Sequence, residues 1–171
     1  MKVILVGYMG SGKSVVAREL AELLGCRFID TDEWIEARAC KTIPEIFSQD
    51  GEAAFRKKEK ECLEFLMDHD HIVLSTGGGM PCFNDAIDLM LELGETIYLD
   101  ASIETLTNRL WIGKSGRPIL KDFKEKNELA AFISNHLSER LDCYQKSKHS
   151  VVVDDKSVAR IAKEIKSALE S

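Results

Sequence analysis

The octapeptide Gly7-Tyr8-Met9-Gly10-Ser11-Gly12-Lys13-Ser14 constrains this chain more than any other stretch, because it follows the apolar run Val3-Ile4-Leu5-Val6 and opens into a helical pattern. Its spacing, G-x-x-x-x-G-K-[ST], is that of a phosphate-binding loop. Glycines let successive backbone N–H groups turn inward around an anion, and the helix that follows adds its positive end. Lys13 is placed to reach the outer phosphates and the Ser14 hydroxyl to ligate Mg2+, with Gly10, Ser11, Gly12 and Val15 completing the cradle. The loop therefore predicts binding of a magnesium nucleoside triphosphate, ATP in the simplest case, and movement of its terminal phosphoryl group. Alone it does not separate a kinase from an ATPase or a GTP-driven switch. The guanine-reading N-K-x-D pattern is absent, and 171 residues leave little room for the machinery of a motor, so a small-molecule kinase is favoured.

Around this loop the apolar pattern alternates between short continuous runs and helical spacing. Val16, Leu20, Leu23 and Leu24 predict a helix over 13–24 that Gly25 closes. Strands are predicted over 3–6, 26–30, 71–75, 96–99 and 151–153. A long helix from near Glu52 to Met67 is predicted to bury Phe55, Cys62 and Leu66, and Asn84 to cap a helix through Ile87, Met90 and Leu91. Continuous apolar strands bounded by helices point to the α/β class, a three-layer α/β/α fold with a five-stranded parallel sheet. The length suits one domain over 1–171. Its charged, glycine-bearing stretch from Gly113 to about Lys126 reads as a mobile lid with few groups to pin it to a core.

Two aspartates stand at the end of the second predicted strand, and period-two geometry sends the carboxylates of Asp30 and Asp32 to one side. That side is the crevice at the carboxyl ends of the strands, beside the phosphate loop. One carboxylate can hold the water shell of Mg2+ and the other can orient or deprotonate an attacking hydroxyl; spacing does not say which does which. A plain helix-capping role is the alternative. Arg56, with Glu59 three residues on, forms either a posed carboxylate receptor or an ordinary surface pair. The triplet Gly77-Gly78-Gly79 predicts close approach of something to the main chain, or a tight turn. Since Leu74-Ser75-Thr76 offers no aspartate, the metal-side duty is expected of Asp30. Arg117, inside the lid, would bring positive charge onto the transferring phosphoryl group. Arg109 and Arg140 are further candidates to face the cleft. With a formal net charge of -6, such a cleft must concentrate arginines locally.

Taken in order, the phosphate loop, Phe28-Ile29-Asp30-Thr31-Asp32, Asp50-Gly51-Glu52 with Phe55-Arg56, Ser75-Thr76-Gly77-Gly78-Gly79, Arg117-Pro118-Ile119-Leu120, and Arg140 with Tyr144 resemble the shikimate kinase family over nearly the whole chain. The resemblance implies transfer of the γ-phosphoryl group of ATP to the 3-hydroxyl of shikimate. It implies that Asp32 binds substrate hydroxyls and serves as base, and that Asp30 and Ser14 place Mg2+. Arg56 and Arg140 would clamp the shikimate carboxylate, Gly77, Gly78 and Gly79 would line the acceptor, and Phe47 and Phe55 would wall its ring. Lys13 and Arg117 would act on the phosphoryl group, and Arg109 would lie near the nucleotide base. The substrate-binding region would span about 31–60 and the lid about 111–126. One departure stands out: relatives read R-x-P-L-Y where this chain has Arg140-Leu141-Asp142-Cys143-Tyr144, so the late helix is expected to run on without a proline.

The start Met1-Lys2-Val3-Ile4-Leu5-Val6 is too short an apolar run for a signal peptide, which makes a cytoplasmic location the default expectation, and the resemblance implies a monomer. No basic tract suits nucleic acid, and no apolar run suits a membrane span. The five cysteines lie far apart and read as reduced thiols rather than a disulfide framework. Two rivals remain at this level. One is another small-molecule kinase, such as a gluconate or nucleotide kinase; the other is a nucleotide-binding protein without turnover. Carboxylate-clamp variants discriminate the first, and acceptor-dependent ADP release the second.

Overall fold

The chain was analysed as a computed structural model that describes residues 1–113 and 118–170. Its strands are β1 (Lys2–Val6), β2 (Arg27–Asp30), β3 (Ile72–Ser75), β4 (Glu95–Asp100) and β5 (His149–Val152). The helices among the described residues are α1 (Lys13–Leu24), α2 (Thr31–Ala39), α3 (Ile43–Gln49), α4 (Glu52–Met67), α5 (Ala86–Leu93), α6 (Ile103–Ile112), α7 (Lys126–Tyr144) and α8 (Val158–Leu169). All strand pairings are parallel, in the order β2-β3-β1-β4-β5. Val3, Ile4, Leu5 and Val6 are fully buried, as expected for a central strand covered on both faces. α1 packs on α8, whereas α4 packs on α5 and α6 on α7. Right-handed crossovers place these two groups on opposite faces of the sheet.

The chain leaves β1 toward one edge of the sheet and β3, its neighbour, toward the other. The loops after these two strands part, and the crevice opens between them. Register sets its floor: Asp30 pairs with Ser75, and Ser75 with Leu5. The first turns of the helices around it are locally fixed. Gly12, at φ 96°, supplies the left-handed turn from which α1 starts. α3 begins with a capping box between Thr42 and Glu45 and carries Pro44 in its first turn.

Two expectations are corrected here, and a third falls partly outside the described residues. α5 is preceded by Asn84 and Asp85, both left-handed at φ 52° and 54°, and starts at Asp85 without a side-chain cap, so Asn84 does not cap it. Of the expected lid, the part just before α7 has Leu120 fully buried and the Phe123 ring tilted against Phe132 at 5.1 Å. Residues 114–117, Arg117 among them, lie outside the described residues. Finally, Asp30 and Asp32 do not share an extended strand. Asp30 ends β2 and caps α2, accepting from the Asp32 amide at 3.0 Å, and Asp32 belongs to the first helical turn.

Candidate active site

Where β1 ends, the main chain turns through the phosphate loop and surrounds the ammonium of its own lysine. Lys13 Nζ donates to the carbonyls of Gly7 at 2.7 Å and Tyr8 at 2.9 Å, and the residue is 8% exposed. Arg109, from α6, crosses the outer side of the loop and donates to the carbonyls of Gly10 at 3.2 Å and Ser11 at 3.1 Å. Gly10, Gly12, Lys13, Ser14, Val15 and Arg109 line one wall of a cleft of about 430 Å³; Ser11 is buried behind them. Asp30, Asp32, Thr76, Gly77 and Gly78 line the other.

The cleft floor is made of short polar side chains. Ser14 Oγ donates to Asp30 Oδ2 at 2.7 Å and lies 3.2 Å from Ser75 Oγ. These are hard oxygen donors, few in number, which suits Mg2+: that ion prefers one or two protein ligands plus water and phosphate oxygens. The pair Ser14 and Asp30 is thus chemically consistent with the metal-side role expected of it, and the buried Ser75 hydroxyl backs Ser14 from behind. The strand register that sets Asp30 beside Ser75 explains why.

Asp32 opens onto the cleft while protein surrounds its other sides. Loss of water, then the neighbouring Asp30 carboxylate, push its carboxyl up to about 6, with Lys13 and Arg56 pulling the other way. A carboxylate in this range is still ionised near neutrality and basic enough to accept a hydroxyl proton.

The glycine triplet needs its glycines for space rather than for backbone conformation. A methyl group on Gly77 would sit 3.3 Å from Asp32 Oδ1 and 3.5 Å from Glu59 Oε1. One on Gly78 would meet the Met9 amide nitrogen at 3.3 Å and Arg140 Nη1 at 3.8 Å, and one on Gly79 both guanidinium nitrogens of Arg56 at 3.4 Å. The segment is braced from below. Thr31 Oγ1 donates to the Ser75 carbonyl at 3.0 Å and accepts from the Gly77 amide at 2.8 Å, so that amide is already engaged. Tyr144, at the end of α7, donates from its hydroxyl to the Gly78 carbonyl at 2.6 Å. α7 runs to Tyr144 unbroken, and in this form it still delivers Arg140 to Gly78.

Arg56 is not half of a surface pair. It bridges Glu59 at 2.8 Å and Glu52 at 3.2 Å, and the Arg56 and Glu59 side chains are only 13% and 6% exposed. Burial raises the Glu59 carboxyl above its usual range against the pull of Arg56. Phe83, which no sequence signal pointed to, lies under the guanidinium at 3.7 Å. The rings of Phe47 and Phe55 meet at a tilt with centroids 4.7 Å apart, but their exposures differ: Phe55 is buried in a small cluster with Ile35 and Ile46, and Phe47 is 40% exposed. The structure therefore gathers Asp32, Arg56 and Arg140 around one glycine loop, with Phe55 beside Arg56 and Phe47 packed on Phe55.

Among known proteins, the family model described as shikimate kinase matches residues 9–170. A shikimate kinase from Parabacteroides distasonis is 44% identical over 146 residues, covering 85% of this chain and 84% of its own. A crystal structure of shikimate kinase from Bacteroides thetaiotaomicron superposes with a TM-score of 0.92 at 35% identity, covering 100% of this chain and 99% of its own. Another, from Acinetobacter baumannii in complex with shikimate, gives 0.87 at 30% identity, covering 99% and 92%. Both the matched length and the identity across it leave one assignment: the chain belongs to the shikimate kinase family.

Proposed function

We propose that the protein transfers the γ-phosphoryl group of ATP to the 3-hydroxyl of shikimate, releasing ADP. The observation that carries this reading is the convergence of Asp32, Arg56 and Arg140 on Gly77–Gly79, directly across the cleft from the phosphate loop. A small hydroxy acid needs such a set: guanidinium groups for its carboxylate and a carboxylate for its hydroxyl. Lys13 exchanges its two carbonyl contacts for phosphate oxygens and holds the donor. Mg2+, when bound by Ser14 and Asp30, neutralises charge on the phosphates. Asp32 accepts the hydrogen bond of the attacking hydroxyl and receives its proton as the oxygen–phosphorus bond forms and the bond to the ADP oxygen breaks. Arg109 braces the donor loop and, with Val15, flanks the place left for the nucleoside. Catalysis on this scheme is mostly positioning and charge stabilisation. Arg117 carries no step here.

Coupled measurement of ADP release from ATP against shikimate, gluconate and nucleoside monophosphates tests the reading. Turnover confined to shikimate is the expected result. Acceptor-independent ADP release, or preference for another member of the panel, overturns it.

A further inference from the structure

Helix α7 presents Phe132, His136, Arg140 and Tyr144 at four-residue spacing, which puts them along one face. Each of the outer members is anchored. Phe132 packs on the His136 ring at 5.2 Å, and Tyr144 donates to the Gly78 carbonyl. His136 reaches across to the donor loop: the hydroxyl of Tyr8 lies 2.8 Å from its Nδ1, and the two rings meet edge to face at 5.5 Å. Tyr8 is 1% exposed, and its carbonyl is one of the two that hold Lys13.

Arg140 is the contrasting member. Arg56 is gripped by two carboxylates, whereas no carboxylate among the described residues lies within ion-pair distance of Arg140. Its guanidinium leans on the Tyr144 hydroxyl of its own helix, so its pose follows where α7 sits, and the anchors of that helix are one turn away on either side. Tyr144 supplies the anchor on the acceptor side and the Tyr8–His136 bond the one on the donor side.

We propose that Tyr8 and His136 are positioning residues for Arg140, holding α7 against the donor loop so that a guanidinium with no carboxylate partner of its own meets the acceptor carboxylate. This rests on the reading of Arg140 as a carboxylate receptor. The protonation states suit the role. Burial pushes the Tyr8 hydroxyl up to about 12, against the pull of Arg140, so it remains a donor. Burial and the Arg140 charge lower the His136 pKa against the opposing Glu139, so Nδ1 is free to accept at neutral pH. The bond ties loop to helix across 128 residues of sequence, and no ligand contact is required of either side chain.

Steady-state kinetics on Tyr8→Phe and His136→Leu test the inference. Each is expected to raise KM for shikimate about fivefold to tenfold, the size of one buried hydrogen bond, with KM for ATP and kcat within about twofold of the parent. The double variant should be no worse than either single one, and His136→Asn, whose side-chain oxygen can accept from Tyr8, should recover most of the loss. In an Arg140→Ala background, Tyr8→Phe should add nothing. An unchanged shikimate KM in Tyr8→Phe, equal losses for ATP and shikimate, or an undiminished effect in the Arg140→Ala background would each overturn the positioning role. A parent-like shikimate KM in Arg140→Ala itself would instead overturn the clamp reading beneath it. Thermal melting of each variant separates these outcomes from loss of fold.

Discussion

The two walls of the cleft are built on different principles. Apart from Arg109, the donor wall is one contiguous stretch held by its own backbone, with Lys13 held by carbonyls five and six residues away. By contrast, the acceptor wall is assembled from side chains on α2, α4 and α7 around a loop of glycines that contributes mainly room. Within that wall the two arginines differ again: Arg56 is posed by Glu52 and Glu59, Arg140 by the placement of its helix. A backbone-built site is fixed once the local chain folds. A side-chain-built site is fixed only when the tertiary structure is complete.

The sharpest way to break this comparison is to remove a donor-side charge and look for damage on the acceptor side. Lys13→Ala is expected to lower kcat about 10³-fold, the order lost with a principal charge-stabilising group. Calorimetric titration of shikimate should still give a dissociation constant within about twofold of the parent. A comparable fall in shikimate affinity would mean that the walls are not separable.

Next in size is the pair of arginines. Both Arg56→Ala and Arg140→Ala should raise KM for shikimate by about one to three orders of magnitude, the worth of a charge-assisted pair. Stability should tell them apart in urea unfolding. Arg56→Ala strands the buried Glu59 and should cost about 3 kcal/mol, whereas Arg140→Ala, with no buried partner to orphan, should stay within about 0.5 kcal/mol. The Arg56→Ala deficit should shrink as pH falls. A carboxyl whose pKa is raised by the fold is favoured there in its neutral form, so its cost is present above the folded pKa and relieved below it.

The smallest effect is the pH dependence set by Asp32. With its carboxyl near 6, kcat/KM for shikimate should fall about tenfold per pH unit below that value. The same sign predicts that Asp32→Asn melts higher than the parent at pH 7, because the ionised carboxylate is disfavoured in the fold. A flat pH profile down to pH 5 would remove Asp32 from the proton path.

Legibility followed the same division. The phosphate loop was readable because its residues and its mechanism occupy one stretch of chain. The sheet and most helices were readable from apolar spacing, and Glu59 could be placed on the buried stripe of α4 because Phe55, Cys62 and Leu66 mark it. Asp30 and Asp32 were found for a reason the structure replaces, since a cap and a first helical turn aim both at the cleft where strand alternation was expected to. Phe83 beneath Arg56 and His136 beside Tyr8 left no trace in the sequence. Such contacts join distant segments, and neither periodicity nor motif spacing encodes them.

The strand pairing at the floor of the cleft has one more consequence. Asp30, Ser75 and Leu5 stand level because β2, β3 and β1 are joined rung by rung. Sliding β2 by one rung would carry Asp30 about 3.3 Å along the sheet and turn its carboxylate to the other face. The placement of Asp30 beside Ser14 is thereby quantised: it can be kept whole or lost whole, but this ladder offers no intermediate setting through which it could be gradually detuned.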